Sequence, residues 1–254
     1  MSGGATFFDE MHEPSGAVRE AYRGYEGWLS EQDAAFLKRK NRDAETLFRR
    51  IGITFNVYGA REAEERLIPF DMVPRIVTAS EWRRVSRGIE QRVRALNAFL
   101  HDLYHRQEII RAGRVPEQLF QNNAAWLPNM VGFTPPGGIY THVVGIDLVR
   151  TGPDEFFVLE DNARTPSGVS YMLENRETMM AMFPELFMRV AVESVANYPR
   201  RLARSLAACA PPATNNKPRL AVLTPGIYNS AFFEHAFLAE QMGAELVEGS
   251  DLRV

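Results

Sequence analysis

Two carboxylates and a carboxamide, Asp147, Glu160 and Asn162, flank the turn cluster "TGPD" (151–154). The stretch "FFVLEDNARTPSG" (156–168) then runs directly into Arg164, Thr165, Pro166, Ser167 and Gly168. Both flanks carry the period of a strand and the cluster between them favours reversal, so the pattern predicts a hairpin. With the turn at Gly152–Glu155, Thr151 faces Phe156, Val149 faces Val158, Asp147 faces Glu160 and Gly145 faces Asn162. Alternation then puts Asp147, Glu160 and Asn162 on one face and Ile146, Leu148, Phe157 and Leu159 on the other, with Asp161 pointing away alongside the apolar set. Carboxylates directly opposite in a sheet stand about 5 Å apart and repel unless a cation lies between them. Two carboxylates and an amide carbonyl suit Mg2+, which fills its remaining positions with water and phosphate oxygens. Arg164 can grip a phosphate or carboxylate with two parallel hydrogen bonds. The Ser167–Gly168 turn offers hydroxyl and amide donors at a helix start, where an anion is favoured. Acceptors for a metal are thus followed by donors for the negative charge that the metal bridges.

The elements that must hold these residues are legible in outline. "GAVREAYRGYEGWL" and "SEQDAAFLKRKNRDAETLFRRIG" read as helices, with Ser30 and Asp33 in a capping-box arrangement and Gly52 near the stop. "ITFNVY" reads as a strand, and "RLIPFDMVPRIV", with Pro69 and Pro74, as an extended linker or binding loop. Ser80 is expected to cap a long amphipathic helix over 81–113, in which Ile89, Val93, Leu96, Leu100 and Leu103 recur at helical spacing. "GGIYTHVVGIDLVR" and "EFFVLEDN" read as the two strands of the hairpin. Beyond the hairpin, "GVSYMLENRETMMAMF", a segment starting at Pro184, and "PRRLARSLAACA" read as helices, and "PPATNNKP" as a linker. "RLAVLTPG", "NSAFFEHAFLAEQMG" and "AELVEG" then form strand, helix ended by Gly243, and strand, the opening of a βαβ unit. The fold class is α/β in three segments. These are a mainly helical region over 1–110, a central region over 111–210 with the hairpin, and the start of a βαβ domain over 217–254 that stops soon after it begins.

Composition narrows the function. The 254 residues exceed the length at which one core usually stops growing. A net charge of −3 gives no general attraction to nucleic acid. The lone Cys209 can form neither an internal disulfide nor a cysteine metal cage, which fits a reducing, cytoplasmic setting. "MSGGATFFDEMHEP" has no basic patch, and "MMAMFPELFMRVAV" is broken by Pro184, Glu185 and Arg189, so neither a signal peptide nor a membrane span is expected. Of the 29 basic residues only three are lysines, Lys38, Lys40 and Lys217.

An acid on one strand, a hairpin, and a Glu-x-Asn pair leading into a Thr/Ser-Pro/Gly turn resembles the magnesium motif of ATP-grasp ligases. The likeness is to the circularly permuted members, glutathionylspermidine synthetase-like enzymes, and above all to the circularly permuted ATP-grasp type 2 family. It is carried by "RLIPFDMVPRIV", "PPGGIYTHVVGIDLVR", "FFVLEDNARTPSGVSYMLENR" and "LTPGIYNSAFFEHAFLAEQMG", from about residue 60 to the end. The resemblance implies an ATP-grasp-like fold with Asp147, Glu160 and Asn162 as magnesium ligands and Arg164 as the catalytic cation. Thr165, Ser167, Gly168 and Ser170 would face the phosphates or the acyl phosphate. It implies Mg2+ and ATP as cofactors and, as partners, a small-molecule or peptide carboxylate and an amine, joined through an acyl phosphate. In two respects the sequence departs from the pattern. Gly145 stands where many ATP-grasp ligases carry arginine, and no lysine lies on a convincing strand pair. The chain is therefore expected to be the N-terminal part of a longer enzyme, relying on a further C-terminal lobe or a protein partner.

Other residues have plainer readings. His101 and His105, at i and i+4, lack the glutamate of an HExxH site and a third ligand, so they are expected to be ordinary helix residues. Asp71 suits either a ligand contact or a loop cap. Asn229 and Ser230 suit either a helix cap or a substrate-binding loop at a strand's carboxyl end. The methionines of "MLENRETMMAMF" read as core filler. The competing functional class is a non-catalytic module that binds metal, nucleotide or a partner. A metal-dependent phosphohydrolase would need more converging acids and histidines.

Overall fold

The computed structural model describes residues 7–56, 65–120, 123–211 and 218–253. In chain order these form α1 (Arg23–Ser30), α2 (Ala34–Ile51), β1 (Thr54–Asn56), β2 (Glu65–Leu67), α3 (Ala79–Tyr104), α4 (Glu108–Arg111), β3 (Gly145–Arg150), β4 (Phe156–Asn162), α5 (Val169–Met182), α6 (Pro184–Arg189), α7 (Tyr198–Ala207), β5 (Ala221–Leu223), α8 (Phe232–Met242) and β6 (Glu245–Val247). The expected linker around 212–217, with Lys217, lies outside the described residues, as do the last residues of "ITFNVY". Among the described residues the fold is mixed, helices with three separate two-stranded sheets. It gathers into two compact units, one of Val77–Pro166 with Phe8, the other of Asp9–Ile76 with the chain from Ser167 onward.

In the first unit the hairpin β3–β4 lies on α3. The helix begins at Thr78, not Ser80: the Thr78 hydroxyl accepts the Glu81 amide while the Glu81 carboxylate accepts the Thr78 amide, a capping box. It ends at Tyr104, earlier than its apolar pattern suggests. Asp102 turns its carboxylate to the amides of Glu108 and Ile109, and Gln107 takes the left-handed conformation at φ 54, so a new short helix starts there. Side chains of α3 then staple the hairpin: Glu81 to Arg150, Arg84 to Asp154 at 2.6 Å, and Arg92 to Asp161. Residues 139–144, expected as strand, are instead held by Asn97, whose carboxamide oxygen accepts the amides of Tyr140 and Thr141 at 2.6 and 3.1 Å.

The second unit is built on an aromatic core. Trp28, Tyr25, Phe48 and Phe183 are almost fully buried; Trp28 meets Phe183 edge-on at 5.1 Å and Phe48 meets Phe70 at 5.5 Å. Asp33, not Ser30, caps α2 by accepting the Phe36 amide, while the Ser30 hydroxyl donates back to Gly27 in α1. The proline-rich segment packs onto this core, because Phe70 is buried, the Tyr25 phenol donates to the Met72 carbonyl and the Tyr22 phenol accepts the Ile76 amide. Strands β5 and β6 pair in parallel with α8 between them, and Gly243, left-handed at φ 66, ends the helix.

Helix α5 shows no amphipathic stripe, and the burial explains it: Ser170 and Thr178 are buried along with Leu173 and Met179. Its C-terminal end is closed by Lys40, whose ammonium donates to the Met182 carbonyl at 2.7 Å and lies over the rings of Phe36 and Phe183. A cation there matches the negative end of the helix dipole.

Candidate functional site

Asp147 pairs directly with Glu160 and Gly145 with Asn162, yet the turn lies one residue away from its expected place. Arg150 pairs with Phe156, Val149 with Phe157 and Leu148 with Val158, where the sequence placed Thr151 opposite Phe156 and Val149 opposite Val158. A β-bulge between these pairs leaves Leu159 without a partner and restores the register at Asp147. Burial records the consequence, with Phe156, Val158 and Asp161 half-buried and Phe157, Leu159, Glu160 and Asn162 exposed. Phe157 and Leu159 therefore do not share a face with Ile146 and Leu148 as expected. They stand at 59% and 72% exposure on the outer face, beside the oxygen donors.

On that face the Asn162 carboxamide nitrogen donates to Glu160 Oε1 at 3.0 Å. This turns the Asn162 carbonyl oxygen away from Glu160 and leaves Glu160 Oε2 and both Asp147 oxygens without a hydrogen bond or ion pair to any described residue. Among the described residues no three His, Cys, Asp or Glu side chains gather as a metal cage. The cation-binding capacity here therefore consists of two opposed carboxylates and one carboxamide, a set of hard oxygens open to solvent.

The strand carrying Glu160 and Asn162 is fixed from behind. Asp161, between them, points to α3, where Arg92 donates from Nε to Oδ1 at 2.7 Å and from Nη2 to Oδ2 at 2.6 Å. That bidentate bond holds the Asp161 carboxyl below the usual carboxylate range. It also sets the rotation of the strand, because neighbours of an inward residue must face outward. Gly145 has an equally local reason. A Cβ there would stand 2.8 Å from Cβ of Pro166 and 3.6 Å from that of Asn162, so no side chain, arginine included, fits without displacing the turn. Beyond Asn162, the side chains of Arg164 and Thr165 are exposed and make no hydrogen bond to a described residue.

In the second unit the expected anion site holds an anion of the protein's own. Glu234, from α8, accepts the Gly168 amide on both oxygens, at 2.9 and 2.7 Å, and the Ser170 amide at 3.3 Å. These two amides are therefore not free for phosphate. The Ser170 hydroxyl is buried with no partner among the described residues, while Ser167 is exposed. Sequence reasoning missed Glu234. The signal was present in "AFFEHAF", a charge inside an aromatic run, which burial would make costly unless donors met it.

The remaining candidates have local roles. The Asn229 side chain accepts the Ala231 amide at 2.9 Å, shaping the turn into α8, and Ser230 follows it half-buried. Asp71 accepts the Val73 amide at 2.9 Å as a loop cap. The His101 and His105 rings stack at 4.2 Å, and their nitrogens face Tyr140, Thr134 and the His101 carbonyl.

The chain is similar to known proteins over most of its length. The stretch 74–254, which contains the hairpin, the turn and α8, matches the family described as circularly permuted ATP-grasp type 2. The chain is 42% identical over 248 residues to "Uncharacterized protein sll0335" of Synechocystis sp., covering 98% of this chain and 51% of that one. It is 48% identical over 249 residues to "Uncharacterized protein Rv2411c" of Mycobacterium tuberculosis, covering 98% and 44%. It is 40% identical over 251 residues to "Putative glutamate--cysteine ligase 2-2" of Frankia casuarinae, covering 98% and 29%. The chain spans about half the length of the first two relatives. No described helix is long and apolar enough to cross a membrane. Since the family match takes in well over half of the chain, the chain belongs to the circularly permuted ATP-grasp type 2 family.

Proposed function

We propose that the protein works as an ATP-dependent carboxylate–amine ligase of the peptide-forming kind. In this reaction a substrate carboxylate oxygen attacks the γ-phosphorus of ATP, the bond to the β-phosphate oxygen breaks, and ADP leaves. An amine then attacks the acyl phosphate carbon, loses its proton and expels phosphate, so an amide forms. The family and the ligase name of the Frankia relative support the class. The observation that carries the reading is the pairing of Asp147 with Glu160 on an exposed face, with Asn162 bonded to Glu160 and the remaining oxygens unspent.

Magnesium, when bound, would neutralise phosphate charge. Asp147, Glu160 and the Asn162 carbonyl oxygen are the groups that would hold it, and their hard-oxygen chemistry fits. Arg164 would stabilise the transferring phosphoryl group by paired hydrogen bonds, and the Thr165 and Ser167 hydroxyls would donate to its oxygens. Gly168 and Ser170 would act by shaping the turn, their amides being committed to Glu234. Asn229 and Ser230, after β5, would border the substrate. The reading rests on a circularly permuted ATP-grasp fold in which the pair β5–β6 opens a Rossmann-like unit.

Mg2+-dependent ADP release, measured on the longer enzyme of which this chain is expected to be the N-terminal part, tests the proposal. Glu160→Gln removes a ligand charge at constant size, so release should fall about a hundredfold or more with the fold retained. Equal turnover in the variant would contradict the role of Glu160, and nucleotide binding with no ADP release would favour a binding module.

A further inference from the structure

Glu234 is 4% exposed and lies within the first turn of α8, between Phe233 and His235. Burying a carboxylate is costly unless hydrogen-bond donors replace its water. The donors come from α5, which has no side-chain cap of its own. A helix start offers unpaired amides and the positive end of the dipole. Gly168, the residue before the first turn, sits in the left-handed region at φ 106, a conformation only glycine adopts freely, and its amide meets both carboxylate oxygens. Beside the carboxylate, Tyr171 of α5 stacks on Phe233 of α8 at 5.5 Å. Burial, and after it the charge of Glu234, holds the phenols of Tyr171 and Tyr198 above the ordinary tyrosine range. The contact joins residues 64 and 66 positions apart, so it is a tertiary lock on the turn and not a local cap.

We propose that Glu234 is a positioning residue: its carboxylate, reaching from α8, fixes the backbone at Gly168 and Ser170 and so presents Ser167 to a phosphate-bearing substrate. The role rests on the ligase reading above. It gives the α8 stretch a task in the site although no atom of Glu234 need touch substrate. A neutral isostere weakens the lock, because a glutamine keeps one carbonyl acceptor but turns an NH2 group toward the Gly168 amide in place of the second oxygen and loses the negative charge at the helix start.

The test uses the 254-residue chain labelled with 15N, as wild type and as Glu234→Gln, Glu234→Asp and Glu234→Ala. Hydrogen exchange at the Gly168 and Ser170 amides reads the lock without any nucleotide. Exchange should speed up about tenfold to a hundredfold in Glu234→Gln, and less in Glu234→Asp. Excess formate should restore protection in Glu234→Ala by supplying the missing carboxylate. The shift of the Ser167 amide on titration with Mg·ATP reads the consequence, and in Glu234→Gln it should need about tenfold more nucleotide. Unchanged exchange in the variants would overturn the lock. Freed amides with an unchanged Ser167 response would overturn the positioning role. A wild-type Ser167 that ignores Mg·ATP would contradict the ligase reading of this turn and the positioning role with it, a result distinct from failure of the lock because exchange is measured separately. Should Glu234→Ala not fold, the isosteric Gln variant carries the comparison.

Discussion

Which side chains a site can use is decided in part by where a side chain is impossible. Gly145 faces Asn162 across the hairpin and supports Pro166 on the open space left by its missing Cβ. An arginine at this place would have to push the turn off the strand, so in the proposed reaction the phosphoryl-stabilising cation would have to come from elsewhere, Arg164 being the candidate beyond Asn162. Gly145→Ala measures the constraint. With 2.8 Å between the new Cβ and Pro166, it should cost about 1–3 kcal/mol and lower the thermal midpoint by several degrees. Adding Pro166→Ala should return part of the loss, and an unshifted midpoint in the single variant would show that the turn yields freely.

Elements here are joined by side chains acting at their ends. The start of α3 is the clearest case, since Glu81 completes the capping box with Thr78 and also pairs with Arg150, which donates to the carbonyls of Gly152 and Pro153 in the hairpin turn. Burial pushes the Glu81 carboxyl up, but the bonds from Thr78 and the charge and bond of Arg150 outweigh it, so it lies below its ordinary value of 4.5. A carboxylate with a depressed pKa stabilises the fold above its unfolded value and loses that contribution as pH falls through its folded value. Acid unfolding of the wild type should therefore include a loss beginning near pH 4.5 and deepening below it. Glu81→Gln should be less stable at neutral pH and flatter across that window; identical pH profiles would remove Glu81 from the account. The helices, the hairpin and the βαβ unit were legible because their periodicity and turn residues are local. The bulge at Leu159 was not, because "FFVLEDN" alternates equally well in either register and only packing on α3 selects one. Thr78 was passed over for Ser80 because both are good caps and the choice depends on the chain's entry. At the site, the count from the turn reaches the Asp147–Glu160 pair only because the bulge at Leu159 offsets the one-residue displacement of the turn. The Glu234 contact was not legible, since nothing local in "AFFEHAF" names its partner.

Across the molecule, charge is spent mostly on holding elements together. The basic residues are nearly all arginines, and Arg92, Arg150, Arg189 and Arg219 each bond an acid from a distant part of the chain. Lys40 closes the end of α5 and Glu234 its start, so the helix following the turn is held at both poles by groups of matching charge. Against that pattern, Asp147 and the free oxygen of Glu160 are opposed carboxylates with no described basic partner, a costly arrangement unless a cation joins them. The most direct measurement is paramagnetic broadening of the amide spectrum of the 254-residue chain by Mn2+ added in trace amounts, with Mg2+ as competitor. Broadening that begins at Asp147, Glu160 and Asn162, is reversed by Mg2+, and is lost in Glu160→Gln is the predicted result. Broadening that spares these three while appearing elsewhere, or that Glu160→Gln leaves untouched, would contradict a magnesium site on this hairpin.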